Sequence, residues 1–232
     1  MMFAGLAPAS LVDYPGHLAT TLFLPGCNLR CGYCHNPTLV QGPPTGRPLS
    51  VREVLGFLAG RTRLIRHICV TGGEPTMHPE LAAFLAACRE RGFGIKLDTN
   101  GARPGAVVAL LRGGLCDYVA MDVKTAWARY PEIGARDPGP YRESVAGIRA
   151  LAPDYEFRTT VAPGLVGPVE LRSIATALAG ARRYVLQQFQ AQGPLLEGRW
   201  SGVAPHDPEL LRAWAAELRP YFQEPVAVRN VP

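Results

Sequence analysis

The feature that most limits the fold of this 232-residue chain is an alternation repeated six times: a short apolar run, a polar turn, then a segment with helical spacing. The strand candidates are HLATTLFL at 17–24, HICVT at 67–71, IKLDT at 95–99, DYVAMDV at 117–123, YEFRTTV at 155–161 and RYVLQQF at 183–189. The helical segments are SVREVLGFLAGR, opened by Ser50, then HPELAAFLAACRE from His78, RPGAVVALLRGG, PYRESVAGIRAL, PVELRSIATALAG and, last, DPELLRAWAAEL. Strands joined only through helices run parallel, so the pattern predicts an α/β fold: a parallel sheet with helices outside, curved into a barrel. Six units rather than eight predict that the barrel is open. The length fits one domain over 1–232, with a flexible loop near 190–205 (QAQGPLLEGRWSGVAP) before the last helix and a proline-edged tail.

Composition narrows the class further. Hydrophobic residues make up 47% and charged residues 19%, which suits a sheet buried on both faces and excludes disorder as the main state. No apolar run is long enough to span a membrane, and no basic side chain precedes Arg30, so the start of the chain lacks the pattern of a signal peptide. The expectation is a cytoplasmic protein with no membrane partner. The net charge of +5 is carried almost wholly by scattered arginines, without a basic run or interleaved aromatics. That reads as solvated surface, suited at most to an acidic protein partner and not to nucleic acid. Only Lys96 and Lys124 are lysines. In an arginine-biased chain they mark positions needing a compact ammonium, with chance survival as the plainer reading of Lys96.

Cys27, Cys31 and Cys34 stand as C-x3-C-x2-C in GCNLRCGYCHNP, just after the first strand. Their spacing in a polar loop points to a metal site, and to a [4Fe-4S] cluster in particular. Three thiolates leave one of four irons without a protein ligand, free to bind a cofactor or substrate. The competing reading is a closed Cys3His zinc site with His35, which requires adjacent residues to aim at one ion. Cys69, Cys88 and Cys116 are isolated in apolar contexts and read as small buried hydrophobes. Gly72, Gly73 and Glu74 follow the second strand, where glycines let backbone lie against a ligand and a carboxylate can meet a cation. Asp98, Thr99, Asn100 and Gly101 end the third strand, and Asp122 and Lys124 end the fourth, spaced to share a face. Each alone passes as an ordinary turn, helix start or ion pair. In a barrel, however, the loops after the strands share one rim, so all of them converge.

Taken together, FLPGCNLRCGYCHNP, TGGEPT, KLDTNG, DYVAMDVK and YEFRTTVAPGL, with SLVDYPG, resemble the radical S-adenosylmethionine (SAM) enzymes. Within them the resemblance is to glycyl-radical-enzyme activases, specifically the activating proteins of anaerobic ribonucleoside-triphosphate reductase, over roughly residues 10–190. It implies a partial (β/α)6 barrel, a [4Fe-4S] cluster on Cys27, Cys31 and Cys34, and SAM on the open iron. By position, Tyr33, Cys34 and His35 border SAM, and Gly72, Gly73 and Glu74 hold its amino group. Asp98, Asn100, Asp122, Val123, Lys124 and Arg158 match further pocket positions. It also implies a monovalent cation at Asp98, Thr99 and Asp122. The implied reaction is reductive cleavage of SAM and formation of a glycyl radical on a partner, with a flavodoxin or ferredoxin-type electron donor and no side-chain acid or base. The chain departs from the pyruvate formate-lyase activase pattern at YVLQQFQ, where Gln187 and Gln188 replace a histidine. Only Cys69 lies between Cys34 and GGEP, which argues against an auxiliary cluster. A small-molecule radical SAM enzyme resembling 7-carboxy-7-deazaguanine synthase is the alternative, ahead of a non-catalytic zinc or electron-transfer protein.

Overall fold

The computed structural model describes residues 1–41 and 46–231. Among these residues are ten strands and seven α-helices. The strands are β1 (Met2–Phe3), β2 (Gly5–Ser10), β3 (Ala19–Leu24), β4 (Leu49–Ser50), β5 (His67–Gly72), β6 (Gly94–Thr99), β7 (Tyr118–Asp122), β8 (Asp154–Val161), β9 (Tyr184–Gln188) and β10 (Ala227–Arg229). The helices are α1 (Pro37–Gln41), α2 (Val51–Ala59), α3 (Leu81–Glu90), α4 (Pro104–Arg112), α5 (Gly139–Leu151), α6 (Pro168–Ala177) and α7 (Pro208–Leu218). The main sheet has the order β10-β9-β8-β7-β6-β5-β3-β2. Its pairs are parallel from β3 through to β10, and β2 is antiparallel to β3 at the edge.

The six expected strand-helix units are all present, and the sheet stays open between β2 and β10. Two edge strands were not expected. β2 (GLAPAS) carries glycine, proline and an irregular register, tolerable only at an edge. β10 is a three-residue strand inside the proline-edged tail. Ser50 does open a helix: its hydroxyl accepts from the Glu53 amide at 3.3 Å while Glu53 Oε2 accepts from the Ser50 amide at 2.8 Å, a reciprocal cap.

Alternation along each strand divides the sheet into two chemically different faces. Leu22, Ile68, Val70, Leu97, Val119 and Phe157 pack outward against the helices in the main hydrophobic core. Most inward positions are polar or small, among them Thr21, Cys69, Lys96, Asp98, Ala120, Asp122, Glu156, Arg158 and Thr160. A small cluster of Tyr14, Ala19, Tyr118 and Ala120 fills the end of the interior away from the strand C-termini. Just above it, Glu156 is fully buried, held by both guanidinium nitrogens of Arg229 at 2.8 and 2.7 Å and by the Tyr118 hydroxyl at 2.9 Å. The lower interior is therefore filled by packed and ion-paired side chains, while a cavity opens at the C-terminal rim.

Candidate active site

The cluster loop leaves β3 at Leu24 and is locked to the GGEP turn by backbone contacts. Gly73 N donates to Leu24 O at 2.8 Å and Glu74 N to Gly26 O at 2.7 Å. These contacts require glycine. A Cβ on Gly73 would lie 1.9 Å from the Gly26 carbonyl oxygen, and one on Gly72, whose φ is +120°, would lie 2.4 Å from the Leu24 carbonyl oxygen. Asn100 ties the third loop in, its side-chain amide donating to Asn28 Oδ1 at 2.9 Å.

Between these loops is a cavity of about 210 Å³. Cys27, Cys31 and Cys34 line it together with Tyr33, His35, Gly72, Gly73, Asp98, Thr99, Asn100, Asp122 and Lys124. Sequence reasoning missed Thr71 and Thr160, which also reach the wall. Their signal was parity: Thr160 lies two residues from the inward Arg158, and Thr71 two residues from the inward Cys69, its hydroxyl donating to Asp98 Oδ2 at 3.3 Å.

Three expected residues sit elsewhere. Val123 is fully buried and outside the cavity wall; its amide donates to Arg158 O at 2.8 Å. Glu74 is also fully buried behind the wall. Its Oε1 accepts from Thr76 N at 3.1 Å, Thr76 Oγ1 at 2.5 Å and Thr99 Oγ1 at 2.7 Å, and its Oε2 from Asn100 N at 2.6 Å. Burial raises its pKa, opposed by those hydrogen bonds. Glu74 thus clasps two loops rather than facing into the cavity. Arg158 lies beneath the wall, its Nε 2.8 Å from Asp122 Oδ1 and its Nη1 3.3 Å from Asp98 Oδ2.

The charged floor is a chain of ion pairs. Lys124 Nζ donates to Asp122 Oδ2 at 2.9 Å, Arg158 bridges the two aspartates, and Lys96 pairs with Asp98. Burial pushes both carboxyls up, but Arg158 and the neighbouring lysine outweigh it, holding Asp98 and Asp122 below the ordinary carboxylate range. For Lys124 burial acts downward, and Asp122 with the nearby Tyr33 and Cys31 carries it well above its usual value.

The donor set fits an iron-sulfur cluster. All three loop cysteines are free thiols on one cavity. Burial pushes Cys31 up to about 12, so a bound cation is what would make it a thiolate. Among the described residues no three His, Cys, Asp or Glu side chains are close enough to share a single ion, whereas a cluster spreads its ligands further apart. His35 is turned aside, its Nε2 2.5 Å from the Gln190 carbonyl oxygen, which disfavours the closed Cys3His zinc site.

The segment after β9, expected as a flexible loop, is tied to the cluster loop. Leu196 N donates to Cys34 O at 3.1 Å and Glu197 N to Gly32 O at 2.9 Å. Trp200 meets Tyr33 edge to face at 5.6 Å, and a Cβ on Gly32 would lie 2.5 Å from Trp200 Nε1. Of the two glutamines in YVLQQFQ, Gln188 turns outward and donates to His206 O at 2.9 Å. Cys69, Cys88 and Cys116 are buried, as expected of small core residues.

Fold and cavity together define a class: an open-barrel α/β enzyme that presents three cysteines at the C-terminal rim of its sheet. A family model described as the radical SAM superfamily matches residues 21–169. A Methanocaldococcus jannaschii protein, provisionally named a glycyl-radical enzyme activating enzyme, is 31% identical over 82% of this chain and 80% of its own length. The chain belongs to the radical SAM superfamily and, within it, to the glycyl-radical-enzyme activating family. A 7-carboxy-7-deazaguanine synthase of Neisseria meningitidis is 34% identical over only 44% of this chain and 42% of its own. Among solved structures, Streptococcus suis SuiB bound to S-adenosylmethionine superposes with a TM-score of 0.67 at 14% identity, covering 90% of this chain and 51% of that one. That likeness shows the fold, and the chain spans about half of SuiB. No helix among the described residues is long and apolar enough to cross a membrane.

Proposed function

We propose that this protein is a cytoplasmic activase that reductively cleaves SAM and generates a glycyl radical on the large subunit of anaerobic ribonucleoside-triphosphate reductase, using a flavodoxin or ferredoxin-type electron donor. The observation that carries the reading is the convergence of Cys27, Cys31 and Cys34 with the Gly72–Gly73 backbone, the DTNG turn and the Asp122–Lys124 pair around one cavity. The relative matching over 82% of the chain supports the activase reading over a deazaguanine synthase matching over 44%.

When bound, the cluster supplies one-electron reductive cleavage of SAM. The chain's own residues bind, orient and shield. Cys27, Cys31 and Cys34 would hold the cluster. Gly72 and Gly73 present bare backbone, admitting a ligand's polar head closer than any side chain would. Asp98, Asn100 and Asp122 offer acceptors for the neutral hydroxyls of a ribose, and Lys124 a donor for a carboxylate. Tyr33, buried under Trp200, keeps water from the cluster's flank. No side chain is needed as an acid or base, because the transferred particle is a hydrogen atom.

The test is anaerobic reconstitution with iron, sulfide, reductant, SAM and the reductase subunit, followed by electron paramagnetic resonance. A glycyl radical on the subunit with 5′-deoxyadenosine in solution is expected. Turnover of a small molecule with no radical on the subunit would overturn it.

A further inference from the structure

The resemblance implies a monovalent cation at Asp98, Thr99 and Asp122, and the geometry does not fit one. The Thr99 hydroxyl is committed to Glu74 Oε1 at 2.7 Å and to Gly101 N at 3.0 Å, on the far side of its strand from Asp98. The two carboxylates that line the cavity are already met by three cations: Lys96 on Asp98, Arg158 on both, and Lys124 on Asp122. Each of the four carboxylate oxygens therefore already faces a cationic side chain, and a metal ion would have to displace one of them.

Lys96 is the member that chemistry elsewhere does not explain. Its side chain is 2% exposed, against 15% for Asp98, so it lies at the bottom of the network. Its Nζ also lies 3.7 Å from Cys69 Sγ, the residue paired with it on β5, and 6.0 Å from the Tyr118 ring centroid. A fully buried ammonium is costly unless it neutralises a buried carboxylate, and Asp98 is the one it meets. A mobile ion would dissociate; an ammonium on a strand cannot.

We infer that Lys96 is a built-in cation: its ammonium does the work of a monovalent metal ion at Asp98, so that SAM binding by this chain needs neither sodium nor potassium. Lys96 acts through Asp98 and is a positioning residue. The inference rests on the SAM reading above only for its ligand; the charge balance stands without it.

The experiment compares the wild type and Lys96→Ala in potassium, sodium and choline chloride at equal ionic strength. SAM affinity is measured by calorimetry on the cluster-loaded protein, and thermal unfolding on the unloaded chain. The wild type is expected to show the same affinity and midpoint in all three salts. Lys96→Ala is expected to lose about tenfold in SAM affinity in choline, to regain it in potassium or sodium, and to unfold at a higher temperature in those salts. A wild-type affinity or midpoint that rises with sodium or potassium overturns the inference, as does a Lys96→Ala variant indifferent to the salt. If that variant folds in none of the salts, the wild-type comparison alone decides. If SAM binds in no salt, the SAM reading fails, and the unfolding midpoints still decide the role of Lys96.

Discussion

Glu74 offers the sharpest test of the site, because its carboxylate accepts a backbone amide on each oxygen: Thr76 N on Oε1 and Asn100 N on Oε2. Whether ionised or protonated, a carboxyl can accept on both atoms. The amide of Glu74→Gln can accept on only one, so either Thr76 or Asn100 is left with an orphaned, buried N–H. That costs about 2 kcal/mol, with little change in volume. A chain of this size unfolds with a urea slope toward the upper end of about 1–3 kcal/mol/M, so the midpoint should fall by roughly 0.7 M. Because the GGEP and DTNG loops loosen together, SAM affinity should fall with it. The assay is urea denaturation of the unloaded chain beside SAM calorimetry on the loaded protein. An unchanged midpoint with a large loss of SAM affinity would refute the clasp and place the carboxylate in direct contact with SAM.

Cys31→Ala should abolish both the cluster absorbance and reductant-dependent 5′-deoxyadenosine; a full yield of either rules out the cluster assignment. In Gly73→Ala the new methyl would collide with the Gly26 carbonyl, so a loss of about 1–3 kcal/mol is expected by urea denaturation, and a wild-type midpoint would show that the loops are not in close approach. Asp98 and Asp122 have depressed pKa values, so their stabilisation is complete above the unfolded carboxylate pKa and is lost as pH falls through the lower folded values. The gap in urea midpoint between wild type and Asp122→Asn should therefore hold from about pH 5 to 8 and begin to narrow only below about pH 4; narrowing near neutrality would contradict the ion-pair network. Trp200→Ala should cost about 1–2 kcal/mol by loosening the segment after β9, a half-buried aromatic giving less than a core one.

Six of the seven parallel strands were legible because each is an apolar run between turn residues, and the rim motifs because each stands at a strand's end. β2 and β10 were not, since GLAPAS and AVR carry neither alternation nor length. The family resemblance placed Glu74 and Val123 in the pocket by position, but position at a strand end does not tell which way a side chain turns; packing decided that, putting both behind the wall. Lys96 is the reverse case. Chance survival was its plainer reading, yet it shares parity with Asp98 in KLD, and an inward position on a parallel strand leaves a lysine no route to solvent. The segment 190–205 reads as loop because it lacks periodicity, and it is tied to the cluster loop by two backbone hydrogen bonds, the His35–Gln190 contact and one tryptophan.

The ion pairs on the cavity floor also bear on how the strands find one another. Lys96 and Asp98 belong to β6, Asp122 to β7 and Arg158 to β8, with Asp98 level with Ala120, and Asp122 with Arg158. If β8 slipped by one residue, Arg158 would turn toward the helices and Phe157 or Thr159 inward, leaving Asp98 and Asp122 without the guanidinium between them. An apolar interior would tolerate such a slip with modest repacking, whereas this one sets two buried carboxylates against each other. The residues that make the cavity floor charged therefore act during folding as a lock on strand register.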